Sequence, residues 1–326
     1  MGKVEAFDDE DIHITNPEMI FTDRDNPRRI FWNVYDGLAD DEFYVINYYG
    51  FGGIGKSRLC AYLNECIRSK KHPETQQKIQ SKSLILNFED LKNNCDKINV
   101  LESLANKFEN ECGYKFPLFK YALYVYYRTL GYSNDSPEIK KLQDNVIGDM
   151  AIDILGMVPV VGGIGSVVLK GVDSFAASIK EKVVKNSAAI KQLDTMSSED
   201  ISEEIIRFFV KELMEQTRKE TAPVVVFLDT YEHLQNYVYQ VSSAKVSEEW
   251  LWSRTGIIRR IPNIIWVLAG QRKVDWGQYD SFWRDESNIL YEEIGEIKEA
   301  DRLKTMLKQI GIEEEDIVDT IVEQTR

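Results

Sequence analysis

Within the run YYGFGGIGKSRL (48–59), four glycines, Gly50, Gly52, Gly53 and Gly55, lead into Lys56 and Ser57. The spacing Gly50-x-x-x-x-Gly55-Lys56-Ser57 is the phosphate-cradling P-loop pattern. Glycines let the backbone turn tightly and aim successive N–H groups at phosphate oxygens. Lys56 can place its ammonium on β- and γ-phosphates, and the Ser57 hydroxyl can ligate Mg²⁺. A helix starting here adds its positive end to the same anion. Gly50, Gly52, Gly53, Ile54, Gly55, Lys56, Ser57 and Arg58 are therefore the candidate nucleotide-binding residues. The competing reading is a glycine turn without a ligand. GGIGSVV (162–168) echoes the loop but lacks the lysine and a clear preceding strand, so it does not count as a second one.

Two further stretches fit this chemistry. In VVVFLDTYEHL (224–234), Asp229 ends an apolar run, where a carboxylate is needed to hold a magnesium shell. Glu232 follows as a base or orienter for an attacking water, although Thr230 occupies the directly adjacent position, where an acid is commoner. His233 reads as structural or solvated. In IIWVLAGQR (264–272), Arg272 follows another apolar run, where its guanidinium could read a γ-phosphate. The plain alternative is a surface arginine in an ion pair.

The elements that must position these residues are visible as patterns. FYVINYY (43–49) reads as a buried strand, SLILNF (83–88) as a second, PVVVFLD (223–229) and NIIWVLAG (263–270) as continuous apolar strands, and ILYEEIG (289–295) as a fifth. NPRRIFWNVYDGL (26–38) and the stretch from about 56 to 69 read as helices, and helical patterns dominate from about 100 to 219. Continuous apolar strands alternating with helices predict a parallel sheet covered on both faces.

The 326 residues suffice for two or more compact units. With 54 acidic against 40 basic residues the net charge is −14, which argues against broad nonspecific nucleic-acid binding. Cys60, Cys66, Cys95 and Cys112 show no zinc spacing and read as buried thiols of a reducing compartment. The acidic N-terminus lacks a signal-peptide core, so a cytoplasmic protein is expected. AIDILGMVPVVGGIGSVVL (151–169) carries a single charge, but its glycines and Pro159 oppose one firm helix. It reads as a buried or partner-binding hairpin, with membrane contact as the alternative. YALYVYYRTLGY (121–132) reads as core packing rather than a base-stacking surface.

In this order, the motifs resemble those of the STAND class of P-loop ATPases, signal-transduction ATPases related to NACHT and NB-ARC switches. FTDRDNPRRIFW (21–32) resembles the motif just before the ATPase core, with Asp23 in place of the commoner glycine. YYGFGGIGKSRL resembles the P-loop, and VVVFLDTYEHL the Walker B strand. EEWLWSRTGIIRRIPNIIWVLAGQRKVDW (248–276) resembles the segment ending in a sensor arginine. IVDTIVEQTR (317–326) looks like the start of the small helical region, and helical periodicity up to Arg326 suggests a domain that continues. The resemblance covers about 21–110 and 220–326.

The resemblance implies a three-layer α/β P-loop NTPase with a central parallel sheet. Its parts would be a polar lead-in (1–20), the first part of the core (21–110), a large mainly helical insertion (111–200), the second part of the core (201–295) and the start of a helical subdomain (296–326). Phe21 and Arg24 would frame the adenine side. Lys56, Glu232 and Arg272 would be catalytic, and Ser57 and Asp229 would hold Mg²⁺. The implied function is a slow ATPase switch that binds ATP and ADP, with nucleotide state gating homo-oligomerisation and signalling, often in defence. Effector or sensor regions would lie beyond Arg326 or on another chain. Two other readings stand beside it: an ADP-holding scaffold with negligible turnover, and a DNA-linked AAA-type loader, which needs a basic winged-helix region that this sequence lacks.

Overall fold

The computed structural model describes residues 24–73, 75–91, 94–133, 135–140, 142, 190–193, 195–240, 248–295, 304, 317 and 318. Phe21, the segment 151–169, the loop echo at 162–168 and nearly all of 296–326 lie outside the described residues.

Five strands form one sheet: β1 (Phe43–Tyr49), β2 (Ser83–Asn87), β3 (Val224–Asp229), β4 (Ile264–Gly270) and β5 (Ile289–Glu293). Their order is β2-β3-β4-β1-β5, and every pairing is parallel. The register aligns the C-terminal ends: Tyr49 sits opposite Gly270 and Glu293, and Asn87 opposite Asp229. All five strand C-termini therefore meet along one edge. That is the edge where open α/β sheets bind their ligands.

Strand residues alternate between two cores, as the period of 2 requires. One face presents Ile46, Tyr48, Phe227, Ile265 and Val267 to Phe31 and Trp32 of α1 (Asp25–Gly37) and to Leu59, Leu63 and Ile67 of α2 (Lys56–Arg68). The α2 residues recur at i, i+4 and i+8, one stripe of the helix. The other face presents Val45, Leu84, Val226, Trp266 and Leu268 to a larger cluster. That cluster includes Leu101 and Leu104 of α3 (Lys97–Lys107), Phe119 of α4 (Pro117–Thr129) and Phe209 of α5 (Ser198–Thr217). Each such side chain contributes about 1.5–3 kcal/mol by leaving water. Tyr121, Tyr124 and Tyr127 are buried here, so the aromatic run of α4 is core and not a stacking platform. All four cysteines are free and buried. No helix among the described residues is long and apolar enough to cross a membrane.

α4 and α5 are joined by a buried carboxyl. Glu212 of α5 accepts hydrogen bonds from the N–H groups of Leu118 (2.8 Å) and Phe119 (3.0 Å) in the first turn of α4, where Pro117 has no donor to offer. Burial pushes the Glu212 carboxyl up to about 8, against the downward pull of those two bonds. The folded state then holds a proton more tightly than the unfolded state, whose value is near 4.5. Stability from this group is present at low pH, falls as pH rises from about 4.5 and levels off above about 8. Glu212→Gln is expected to flatten that part of the stability profile. Denaturant melts of both proteins from pH 5 to 9 check this, each tenfold difference in proton affinity between folded and unfolded chain being worth ~1.4 kcal/mol. Parallel profiles would mean that Glu212 does not titrate with folding.

Candidate phosphate-binding site

β1 ends at Tyr49 and α2 begins at Lys56, so the glycine loop spans the strand–helix junction. Gly50 has φ 149°, and a Cβ there would collide with the carbonyl oxygen of Ile294. Glycine is required because the loop starts pressed against the chain leaving β5, whose Ile294 N–H donates to Tyr49 O at 2.7 Å. Gly55, at φ 98°, is the left-handed N-cap of α2 and supplies no side-chain cap, so the first N–H groups of the helix are left for an anion.

The Lys56 ammonium donates to the carbonyls of Gly50 (2.8 Å) and Phe51 (2.7 Å). Burial lowers its pKa, while the charges of Glu232 and Asp229 pull it back up. Arg24, buried ahead of α1, donates from Nη2 to Ile54 O at 2.7 Å and braces the loop. Arg58 is exposed on α2.

Ser57 Oγ donates to Asp229 Oδ1 at 3.0 Å, joining residues 172 positions apart. The same oxygen accepts from Thr230 N–H at 2.9 Å. Burial pushes the Asp229 carboxyl up, the two hydrogen bonds pull it down, and the Glu232 charge pushes it up again. Thr230 has φ 53°. A β-branched residue in this region costs on the order of 1–3 kcal/mol. Its hydroxyl is held against Asn87 Oδ1 at 2.5 Å and accepts from Glu89 N–H at 3.1 Å. This turn sends Tyr231 into the core and makes Glu232 the first residue of α6 (Glu232–Gln240).

Glu232 Oε2 accepts from Gln271 N–H at 3.1 Å, just past β4. The approach is close: a Cβ at Gly270 would stand 3.3 Å from Tyr231 Cβ and 3.4 Å from Glu232 Oε2, so a side chain there would make these neighbours shift slightly. The Gln271 side-chain amide reaches the space beside Gly52, within 3.5 Å of where a Cβ would stand. Arg272 is exposed and makes no hydrogen bond or ion pair among the described residues.

The structure thus gathers Gly50–Ser57, Asp229 and Glu232 at one edge, with Arg24 behind the loop. Arg272 follows Gln271 just past β4, and its side chain has no contact with these groups among the described residues. Sequence reasoning passed over Asn47, Asn87 and Gln271. Their only signal is a polar residue within or at the end of an apolar run.

Ser57 and Asp229 offer oxygen donors, which suit a hard divalent cation. No group of three or more His, Cys, Asp or Glu among the described residues could hold a metal by itself. One hydroxyl and one carboxylate, already in contact, match magnesium, which takes one or two protein ligands and completes its shell with water and phosphate. Glycines at positive φ and an inward lysine fit the phosphate.

Fold and site together define an α/β protein with an all-parallel sheet and a glycine loop at its C-terminal edge. No protein-family profile matches the sequence, and no curated protein matches it either. Among solved structures, the chain is similar to the ORC2 protein of Aeropyrum pernix in its ADPNP-ADP complexes, at 12% identity and TM-score 0.33 over 89% of this chain and 52% of that one. It is also similar to Stu0660 of Streptococcus thermophilus, at 12% identity and TM-score 0.26 over 82% and 74%. The chain spans about half the length of the ORC2 chain. Both scores are too low for either likeness to establish fold or function.

Proposed function

We propose that this chain is a STAND-type nucleotide switch that binds ATP and ADP with Mg²⁺ and hydrolyses ATP slowly, its nucleotide state gating self-association and signalling. The observation that carries the reading is the contact of Ser57 with Asp229 at the mouth of the glycine loop. It places a magnesium-type hydroxyl and carboxylate beside a lysine and the uncapped start of α2.

In this reading Lys56 exchanges the loop carbonyls for phosphate oxygens. Ser57 and Asp229 hold Mg²⁺, which neutralises charge on the phosphates when bound. Glu232 orients the attacking water and takes its proton, and Arg272 closes on the γ-phosphate. Slow turnover is expected because Glu232 Oε2 already accepts from Gln271 N–H and must share or give up that bond to act on water.

The test is the nucleotide content of the purified protein, its affinity for ATP and ADP with Mg²⁺, its turnover, and its mass in solution with each nucleotide. Binding of both, slow hydrolysis and a nucleotide-dependent mass support the switch. ADP held without turnover supports the scaffold reading. Binding of neither rejects both. Within the same measurements, Arg272→Ala is expected to weaken ATP on the order of 10- to 100-fold and leave ADP unchanged, since only ATP has a γ-phosphate to meet the guanidinium. Equal weakening of both nucleotides would remove Arg272 from that role.

A further inference from the structure

Asn47 lies in the middle of β1 and is fully buried. Ser83 and Asp229, also buried, stand at strand ends. A buried amide without partners is destabilising, so its position within an apolar strand calls for a specific use. Both halves of the amide are engaged. Nδ2 donates to Leu268 O at 3.3 Å, and Oδ1 accepts from Val274 N–H at 2.9 Å. The need of Val274 N–H for an acceptor fixes which way the amide faces.

One side chain therefore ties both ends of the arc 268–274 to the strand that feeds the glycine loop. The β1–β4 ladder ends at Tyr49 and Gly270, where the chain leaves the sheet. Val274 N–H is where the departing chain is tied back to β1. Between the two ties lie the groups that meet the rest of the site. Ala269 O accepts from Tyr231 N–H at 2.9 Å, Gln271 N–H binds Glu232, and the Gln271 amide faces Gly52. Arg272 hangs from the same arc, with no hydrogen bond or ion pair among the described residues to direct it.

We propose that Asn47 is a positioning residue for the γ-phosphate side of the site. It sets the arc 268–274 against the glycine loop, and through the arc it sets Glu232 and Arg272. This rests on the nucleotide reading above.

The experiment compares Asn47→Leu, Arg272→Ala and the double variant in the full chain. Binding of ATP and ADP, single-turnover hydrolysis and amide exchange at 271–274 are measured. Asn47→Leu is expected to keep ADP binding, to lower single-turnover hydrolysis by about 10- to 100-fold and to speed exchange across the arc. Combined with Arg272→Ala, its loss should be less than additive, because both act through one arc. A residue that merely fills the core would give additive losses and no preference between nucleotides. Asn47→Asp, its carboxyl held neutral by burial, keeps an acceptor for Val274 N–H and a donor for Leu268 O, so it should recover part of the rate. If the leucine variant does not fold, the aspartate variant enters the same cycle and is judged by the same additivity. Additive losses, or an Asn47→Leu rate equal to the unmodified one, overturn the proposal while the nucleotide reading stands. If the unmodified protein binds neither nucleotide, both fall together.

Discussion

Glu232→Gln is expected to lower ATP turnover by on the order of 10²–10⁴-fold, the usual contribution of a general base, while ATP binding persists. The substitution is conservative for the surrounding structure. A glutamine carbonyl can still accept from Gln271 N–H, so the turn between β3 and α6 keeps its anchor. Removing the charge takes away an influence that raises the pKa of Asp229, so the magnesium-type carboxylate is not weakened. It also takes away an influence that raises the pKa of Lys56, where burial is the largest influence and the Asp229 charge still opposes it. The effect should therefore appear in the chemical step alone. Single-turnover hydrolysis with protein in excess, alongside a binding isotherm for ATP, separates the two. Hydrolysis at the unmodified rate would show that Glu232 is not the base, and a parallel loss of binding would show that it serves the fold.

Lys56→Ala is expected to weaken ATP and ADP together, by on the order of 100-fold, because the β-phosphate is common to both and charge-assisted hydrogen bonds to it are the strong ones. The fold should survive. α2 is held by Leu59, Leu63 and Ile67, all fully buried, and not by the ammonium. The loop also keeps the Arg24 bond to Ile54 O and the contact of Gly50 with the chain after β5. A thermal melt confirms the fold, and isotherms for both nucleotides read the effect. Unchanged ADP affinity in a folded Lys56→Ala protein would remove the glycine loop from phosphate binding and, with it, the proposed function.

The contrast between these predictions and the Asn47 proposal reflects which parts of the site local sequence can express. FYVINYY and β1 coincide at Phe43–Tyr49, and the other four strands start or end within one or two residues of their apolar runs. Burial on both faces demands such runs, and polar residues bound them. Gly55-Lys56-Ser57 is equally local, since the conformational freedom of glycine and the start of α2 act within a few residues. Strand order is different. All five strands are parallel, and β1 to β4 are largely apolar, so these four could sit beside one another in several orders without changing their own patterns. Only the packed sheet puts β4 between β1 and β3 and brings Ser57 to Asp229. The left-handed Thr230, held by Asn87, depends on β2 lying beside β3. Asn47 looks like an interruption in FYVINYY until Leu268 and Val274 arrive from more than two hundred positions away. Apolar runs and glycine turns are dictated by neighbours along the chain. A buried amide or a strained turn takes its meaning from partners across the fold, which tertiary packing alone supplies.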